Sequence, residues 1–391
     1  MAQPLRIEPD LQFIQELQAV GGDSLKKCYQ CATCSVVCPV SPADDPYPRK
    51  EMIWAQWGMR DKLEADVDIW LCHNCTTCSD LCPRGAKPGD LMAAMRNMTY
   101  RKLSWMGFLG DWMSNIKYLP LLIALPALLY LSFWTFRAQQ LGTFFPLFDG
   151  EVVYGKLFPE LFFIDPVFIP VSIIVALTFF IGVRRLYKSF APEGKVVMIG
   201  EKPKPWLRAL AEAVGEILAH KKFEDCGDLT RNRKIGHFFT FYGFVALAIV
   251  TSVIALGYWG GMILEGHPWH PLHTPLVLHN PVKILAIFGA LSLLSGLTVL
   301  TIRRATLDSK KTKSSYYDWY LLGLIWTVAV SGTLCLLLRL ATAPYLAYPM
   351  YIIHLCAIFM LFLYLPWSKL GHLVYRLAAI TYVKRMGRKP M

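Results

Sequence analysis

Between residues 118 and 372 the chain is a succession of long apolar stretches separated by polar breaks. Six of them approach about 20 residues, the length a helix needs to cross a bilayer: 118–136, 162–183, 235–258, 282–302, 319–340 and 349–372. The second is the least regular, because Asp165-Pro166 sits near its start. Pro126, Pro170 and Pro366 fall inside spans, where neighbouring helices compensate for a lost backbone bond. The first 115 residues show short amphipathic segments instead. In 10–20, Leu11, Ile14, Leu17 and Gln18 share a face, and Gly21-Gly22 ends the helix. Met52, Ile53, Gln56, Trp57, Met59 and Leu63 give 49–64 a helical period, and a third such stretch lies around 91–100. In 203–223, Leu207, Leu210, Val214, Ile217 and Leu218 form an apolar stripe beside Lys204, Arg208, Lys221 and Lys222. Such a helix lies on the membrane surface or packs against the amino-terminal region, and both readings stand.

Composition fits a membrane protein that carries a soluble domain. Hydrophobic residues make up 54% of the 391 and charged residues 17%, with a mean hydropathy of +0.37. Soluble domains carry about 25% charge, and collagen-like, disordered and small disulfide-framework proteins are excluded. The net charge of +12 divides unevenly: residues 1–115 hold 12 Lys+Arg against 14 Asp+Glu, and residues 116–391 hold 28 against 14. The positive charges flank the apolar spans, which suits a bilayer and not a nucleic acid. With the amino-terminal region in the cytoplasm, 24 of those 28 cations fall on the cytoplasmic side, chiefly in 184–234, 303–313 and the tail from Lys369. Arg137, Lys156, Lys283 and Arg339 fall outside. Both termini are therefore expected in the cytoplasm.

Eight of the 11 cysteines form two runs of identical spacing: Cys28, Cys31, Cys34, Cys38 with Pro39, and Cys72, Cys75, Cys78, Cys82 with Pro83. The first 20 residues hold Arg6, Glu8, Asp10 and Glu16 and no apolar run, so no secretory signal is expected and metal binding is a better reading than disulfides. Thiolates at this spacing cover three corners of a cubane, and a distant fourth closes it. In two-cluster domains the fourth cysteine of each run serves the other cluster. Cys28, Cys31, Cys34 and Cys82 are therefore expected to hold one 4Fe-4S cluster, and Cys72, Cys75, Cys78 and Cys38 the second. Two zinc sites are the alternative, but zinc generally takes pairs of Cys-x2-Cys and not a triplet followed by Cys-x3-Cys-Pro.

Ionisable residues inside a membrane mark function by default. His354 and His372 lie 18 residues apart on the last span, a spacing that returns to the same helix face about 27 Å along. Two imidazoles so placed suit two haems b stacked across the bilayer, with imidazole as axial ligand. Depth pairs His237 with His372 on the cytoplasmic side and His279 with His354 on the outer side. A histidine at a span end also serves as a cap or headgroup contact, and that alone accounts for any one of these. His267, His270 and His273 read as interfacial, with one of them a substitute for His279; His73 reads as cluster environment and His220 as solvated. Lys283, at outer depth in the fourth span, either hydrogen-bonds a quinone carbonyl or snorkels outward. Cys335 and Cys356 read as packing residues, and Cys226 is left unexplained. The expected fold is mainly α: a small helical ferredoxin-type domain over 1–115 with two 4Fe-4S clusters, then a six-helix transmembrane cytochrome b bundle over 116–391.

The segments KCYQCATCSVVCPV and WLCHNCTTCSDLCPRG resemble the C subunit of heterodisulfide reductase over about 100 residues. GHFFTFYGFVAL around His237, NPVKILAIFGALSLLSG with Lys283, and HLCAIFMLFLYLPWSKLGH from His354 to His372 are similar to the cytochrome b subunits of heterodisulfide reductase and of respiratory nitrate reductase. The latter pattern supports His237, His354 and His372 as haem ligands and Lys283 as a quinone-site residue. That family has a further histidine ten residues past His237, where this chain has Leu247, so the outer ligand must come from elsewhere or the outer haem is absent. Fusion of the two modules resembles the C subunits of quinone-interacting membrane-bound oxidoreductases of sulfate-reducing bacteria. That resemblance implies two flavin-containing partner proteins similar to the A subunit of heterodisulfide reductase, and electron exchange between menaquinone and adenylylsulfate reductase, from the bacterial inner membrane.

Three readings follow. The first is an electron-transfer subunit with a quinol oxidation site; the second a membrane module of a heterodisulfide reductase-type complex; the third an anchor with a structural haem. The second family's dithiol site needs adjacent cysteines, and none occur in this sequence. Two complete cluster motifs argue against the third. No general base, nucleophile triad or phosphate loop is visible, so the chemistry expected is electron transfer alone.

Overall fold

The computed structural model describes residues 8–43, 45–190, 203–226, 231–263, 274–307 and 312–387. Among them the chain is helical and forms no strand. The amino-terminal region holds α1 (Leu11–Ala19), α2 (Thr33–Val36), α3 (Arg49–Gln56), α4 (Arg60–Ala65), α5 (Asp68–Leu71), α6 (Thr77–Asp80), α7 (Pro88–Leu103) and α8 (Gly107–Met113). Asp10 caps α1 by accepting the Phe13 N–H at 2.8 Å, and the Gly22 N–H closes its end on the Leu17 carbonyl at 2.8 Å. Phe13 and Leu17 are the residues it buries, while Leu11 stays exposed, so the buried stripe is turned from the one the sequence suggested. The stretch 49–64 is two helices and not one. Gly58 breaks it with φ +64°, and a Cβ there would stand 2.7 Å from the Asp10 backbone nitrogen, a place only glycine fits.

Six helices among the described residues are long and apolar enough to cross a membrane. They are built on α9 (Leu119–Leu141), α11 (Asp165–Phe190), α13 (Arg231–Ile263), α14 (Pro281–Ala305), α15 (Tyr316–Leu340) and α16 (Pro344–Leu363), with the short α10 (Tyr154–Leu157) between the first two. The doubtful second span is continuous. A π-helical turn over Glu160–Ile164 leads directly into α11 at Asp165-Pro166, so the proline stands at the change of winding inside the span. The expected 349–372 helix is interrupted. α16 stops at Leu363, two 3-10 turns follow (Leu365–Trp367 and Lys369–Gly371), and α17 (His372–Arg385) starts at the histidine itself. Pro366 lacks a donor and disfavours helical backbone at Leu365, and no neighbour repairs the helix: the Trp367 indole instead bonds the Trp105 carbonyl at 3.1 Å. His354 and His372 therefore do not share one helix, and His354 sits near the middle of α16.

α13 and α14 meet through glycines seven residues apart, Gly236 and Gly243 against Gly289 and Gly296. A Cβ on Gly243 would lie 2.8 Å from the Leu293 nitrogen, and one on Gly296 2.5 Å from the Thr240 nitrogen. Small residues of this kind let helix backbones touch where no hydrophobic force drives them together. α12 (Trp206–Leu218) rests on α17, burying Ala209 and Ala213 and leaving Leu207 and Leu218 exposed; Lys384 reaches Glu216 across that contact at 2.5 Å.

The amino-terminal region is fastened to the membrane helices. Its core of Phe13, Leu17, Met52, Trp70, Met92 and Met95 continues into Leu186, Phe190, Tyr375 and Ala379. Trp70, Tyr100 and Tyr375 pack ring against ring with centroids 5.6–5.9 Å apart. The Arg185 guanidinium donates to the carbonyls of Lys102, Leu103 and Ser104 at the end of α7, at 3.1–3.2 Å. Asp90 accepts from the Thr312 hydroxyl at 2.5 Å and the Lys313 N–H at 3.1 Å.

Candidate metal centres and the cavity beneath them

The two cysteine runs fold alike. Gln30 and Asn74 take left-handed backbone (φ +62° and +49°), as do Ala32 and Thr76 (φ +69° and +78°), at matching positions two and four residues past each leading cysteine. Such backbone costs on the order of 1–3 kcal/mol per non-glycine residue and persists where the surroundings enforce it. Each run then enters a single helical turn, α2 or α6. The residue two past each leading cysteine donates to its sulfur, through different groups: the Gln30 side-chain amide to Cys28 Sγ and the Asn74 backbone N–H to Cys72 Sγ, both at 3.4 Å. The Thr33 hydroxyl lies 3.4 Å from Cys31 Sγ and the Thr77 hydroxyl 3.3 Å from Cys75 Sγ. The repeated threonine was visible in the sequence and its role was missed.

Cys82 stands with Cys28, Cys31 and Cys34, close enough for their charges to interact, and Cys38 stands with Cys72, Cys75 and Cys78. Burial, with the neighbouring sulfurs adding to it, pushes Cys34 up to about 11; burial pushes Cys38 up to about 12. Metal ligation is what draws such thiols to thiolates at neutral pH. Four thiolates around one zinc ion stand about 3.8 Å apart, given zinc–sulfur bonds of about 2.3 Å. Among the described residues no three cysteine sulfurs lie within 4.8 Å of one another, which disfavours zinc and leaves room for a larger cluster.

Cys226, unexplained from the sequence, belongs here. It lines the same small cavity as Cys38, Cys72, Cys75 and Cys78, and its hydrogen bond to Cys75 is the main cause of a lowered Cys75 pKa. The two groups face different ways. Cys31 is exposed, as are Tyr29, Val36 and Leu81, and Arg84 stacks 4.0 Å from the Tyr29 ring. Cys72, His73 and Asn74 instead form part of the wall of a cavity of about 690 Å³ between the amino-terminal region and the membrane helices.

His237 and His372 line that same cavity. His372 Nδ1 is held by the Lys369 carbonyl at 2.6 Å, and His237 Nδ1 by His220 Nε2 at 3.1 Å. Among the described residues neither Nε2 has a hydrogen-bond partner, the arrangement usual for imidazole that binds a metal. Cationic groups surround the space: Arg96 bonds the Ile69 and Cys72 carbonyls at 2.5 and 3.0 Å, Arg233 those of His73 and Asn74 at 2.6 and 3.0 Å, and Arg376 the His73 ring. Among the described residues the buried Arg233 Nε has no hydrogen-bond partner. An imidazole pair, guanidinium groups and a volume within the 300–1,000 Å³ range of cofactor sites fit a haem with its propionates. His73 is cluster environment, as its position in the run suggested; burial and Arg376 push its pKa down to about 4, and Asp225 takes its Nε2 at 3.2 Å.

The expectation for His220 changes. His220 is not solvated: it is 2% exposed, because the chain between α12 and α13 folds it inward against Phe223. His279 is exposed, just ahead of α14, and nothing described joins it to His354. His354 is hydrogen-bonded through Nδ1 to the Ser331 hydroxyl at 3.0 Å, its ring filling the space left by Gly332. His267, His270 and His273 lie outside the described residues. Lys283 is half-buried in the first turn of α14, with Arg339 as a charged neighbour. Cys335 is buried and Cys356 half-buried among the helices.

A family model described as 4Fe-4S dicluster domain matches residues 24–86, and one described as citrate utilization protein B matches residues 200–390. The chain therefore carries an amino-terminal 4Fe-4S dicluster domain, followed by helices that fit a multi-pass membrane protein. Over 89 residues it is 38% identical to the C subunit of the H(2):CoB-CoM heterodisulfide,ferredoxin reductase of Methanothermobacter marburgensis and to that of Methanothermobacter thermautotrophicus. The match takes in 22% of this chain, which spans about half the length of those curated relatives. No solved structure matches the chain.

Proposed function

We propose that the chain is the membrane subunit of a redox complex, exchanging single electrons between a quinone in the bilayer and soluble partner proteins. The observation that carries this reading is the shared cavity, which the paired histidines line together with Cys72, the leading cysteine of the second group. Cys28, Cys31, Cys34 and Cys82 hold one 4Fe-4S cluster, Cys72, Cys75, Cys78 and Cys38 the other, and His237 and His372 a haem b. When bound, these groups supply one-electron carriers. The chain's own residues order the sites from bilayer to solvent: the histidine pair, the second cysteine group, then the first. Arg96, Arg233 and Arg376 would balance the charge of the haem propionates in the cavity, and the exposed surface around Cys31 receives the partner. His354, with His279 or another outer histidine, holds a second haem, and Lys283 bonds the quinone.

The basic loops support an inner-membrane orientation with both termini cytoplasmic. The fusion of the two modules supports menaquinone as the quinone, two flavin-containing proteins as partners, and adenylylsulfate reductase as the enzyme fed in sulfate reduction. A second reading, the membrane module of a heterodisulfide reductase-type complex, is favoured by the identity to the methanogen C subunits, with the dithiol site then in a partner. The deciding experiment is haem b per purified chain, by reduced pyridine–haem absorbance, in the natural protein and in His372→Ala. Haem in the first and loss of the cavity haem in the second, with both cluster signals kept in electron paramagnetic resonance, is the expected result. Equal haem in the two proteins would remove His372 from the site; a natural protein with clusters and no haem would end the reading. Slow or absent reduction of the bound haem by a menaquinol analogue would leave it structural.

A further inference from the structure

We infer that His220 is a positioning residue for His237, fixing the tautomer and ring plane of that ligand through a chain of two imidazoles; this rests on the reading of the cavity as a haem site. The direction of the chain follows from its far end. The Leu218 carbonyl, 3.0 Å from His220 Nδ1, can only accept, so Nδ1 carries the His220 proton. A neutral His220 then has its lone pair on Nε2, 3.1 Å from His237 Nδ1. His237 must donate there, which leaves its own Nε2 lone pair for the cavity.

His237 needs such an outside acceptor. It lies near the start of α13, where helical carbonyls are committed to the helix, whereas His372 takes its acceptor from Lys369 in a turn of its own chain. His220 is built to supply it. Its backbone is left-handed, φ +52°, a strained conformation for a side-chain-bearing residue. Its own N–H bonds the Ile217 carbonyl and its carbonyl takes the Phe223 N–H, both at 3.1 Å. Phe223 stacks on the ring at 5.7 Å between centroids, and Phe238 and Phe241 close its edges at 5.4 and 5.3 Å.

Partners of this kind raise ligand basicity and fix ring orientation, and their loss typically weakens metal affinity about 10- to 100-fold. The test uses the full chain in detergent as the natural protein, His220→Phe and His220→Gln. Phenylalanine keeps the packing and removes the acceptor; the glutamine amide can still donate to Leu218 and accept from His237. Haem retention against excess apomyoglobin and the g-values of the ferric haem are measured, with the cluster signals as a check on folding. His220→Phe is expected to lose haem about 10- to 100-fold more readily, with shifted g-values and a raised midpoint potential, and His220→Gln to restore most of both. Natural retention and g-values in His220→Phe would overturn the inference, as would equal impairment in His220→Gln. Should His220→Phe not accumulate, His220→Asn, too short to span both partners, takes its place with the same outcomes. A natural protein without haem, or unchanged haem in His237→Ala, would instead overturn the site reading beneath it.

Discussion

Gly296→Ala tests whether the glycine contact between α13 and α14 sets the position of His237. A Cβ on Gly296 would meet the Thr240 nitrogen and hydroxyl at 2.5 Å and the Gly236 carbonyl oxygen at 2.7 Å. Two of these are backbone atoms, so no rotamer change relieves them. The shortfall against an ordinary contact of 3.4 Å is about 0.9 Å, and α13 must move away by roughly that distance. Overpacking of this size costs about 1–3 kcal/mol. The displaced turn contains His237, between Gly236 and Thr240, while His372 stays fixed on α17, which packs on the amino-terminal core. A gap opening by about 1 Å takes one imidazole out of bonding range, so haem is lost or becomes five-coordinate and high-spin, with the cluster signals unchanged. Haem absorbance per chain and the ferric spin state measure this. Gly323→Ala on α15, where nothing lies within 4 Å of the added methyl, is the control and should change neither. A Gly296→Ala protein with natural haem content and a low-spin spectrum would show that the helix contact does not govern the ligand.

Lys50→Met should destabilise the amino-terminal region. The ammonium sits 2.5 Å from Asp68, 2.6 Å from Asp45, 3.7 Å from Glu51 and 3.8 Å from Asp66, and stripping the cation from buried carboxylates costs about 3–5 kcal/mol at neutral pH. Burial and mutual repulsion hold Glu51 and Asp66 above their ordinary values, so the folded state keeps protons that the unfolded state releases. Their contribution is fully present below the unfolded pKa of about 4 and is lost as pH rises through the raised values. The variant's deficit is thus small near the acid end and grows toward neutrality; thermal unfolding across that range checks it, and a deficit that ignores pH would contradict it. Cys31→Ser should remove one cluster signal and leave the haem and the other cluster intact. Loss of haem with normal membrane insertion would show that the two modules do not assemble separately.

What was legible in the sequence was whatever depends on a few neighbouring residues or on bulk transfer from water. The six spans follow from apolar length, because a backbone in lipid must satisfy its own hydrogen bonds. The cysteine groups follow from spacing, and the end of α1 from Gly21-Gly22. Two local signals were present and underweighted: Pro366, which ends α16 where neighbours were expected to compensate, and Gly58, which divides α3 from α4.

The tertiary structure decided what distant residues do together. The two cysteine runs are alike in sequence, so nothing local tells which faces the membrane; the docking of α7 through Asp90 and Arg185 turns Cys72 inward and Cys31 outward. Cys226 reaches Cys75, and His220 reaches His237, only because the segment after α12 folds back over the cavity. Hydropathy and periodicity record how much a residue gains by leaving water. They carry no information about which buried partner it meets, and hydrogen bonds and metal ligation depend on that meeting to within a few tenths of an ångström.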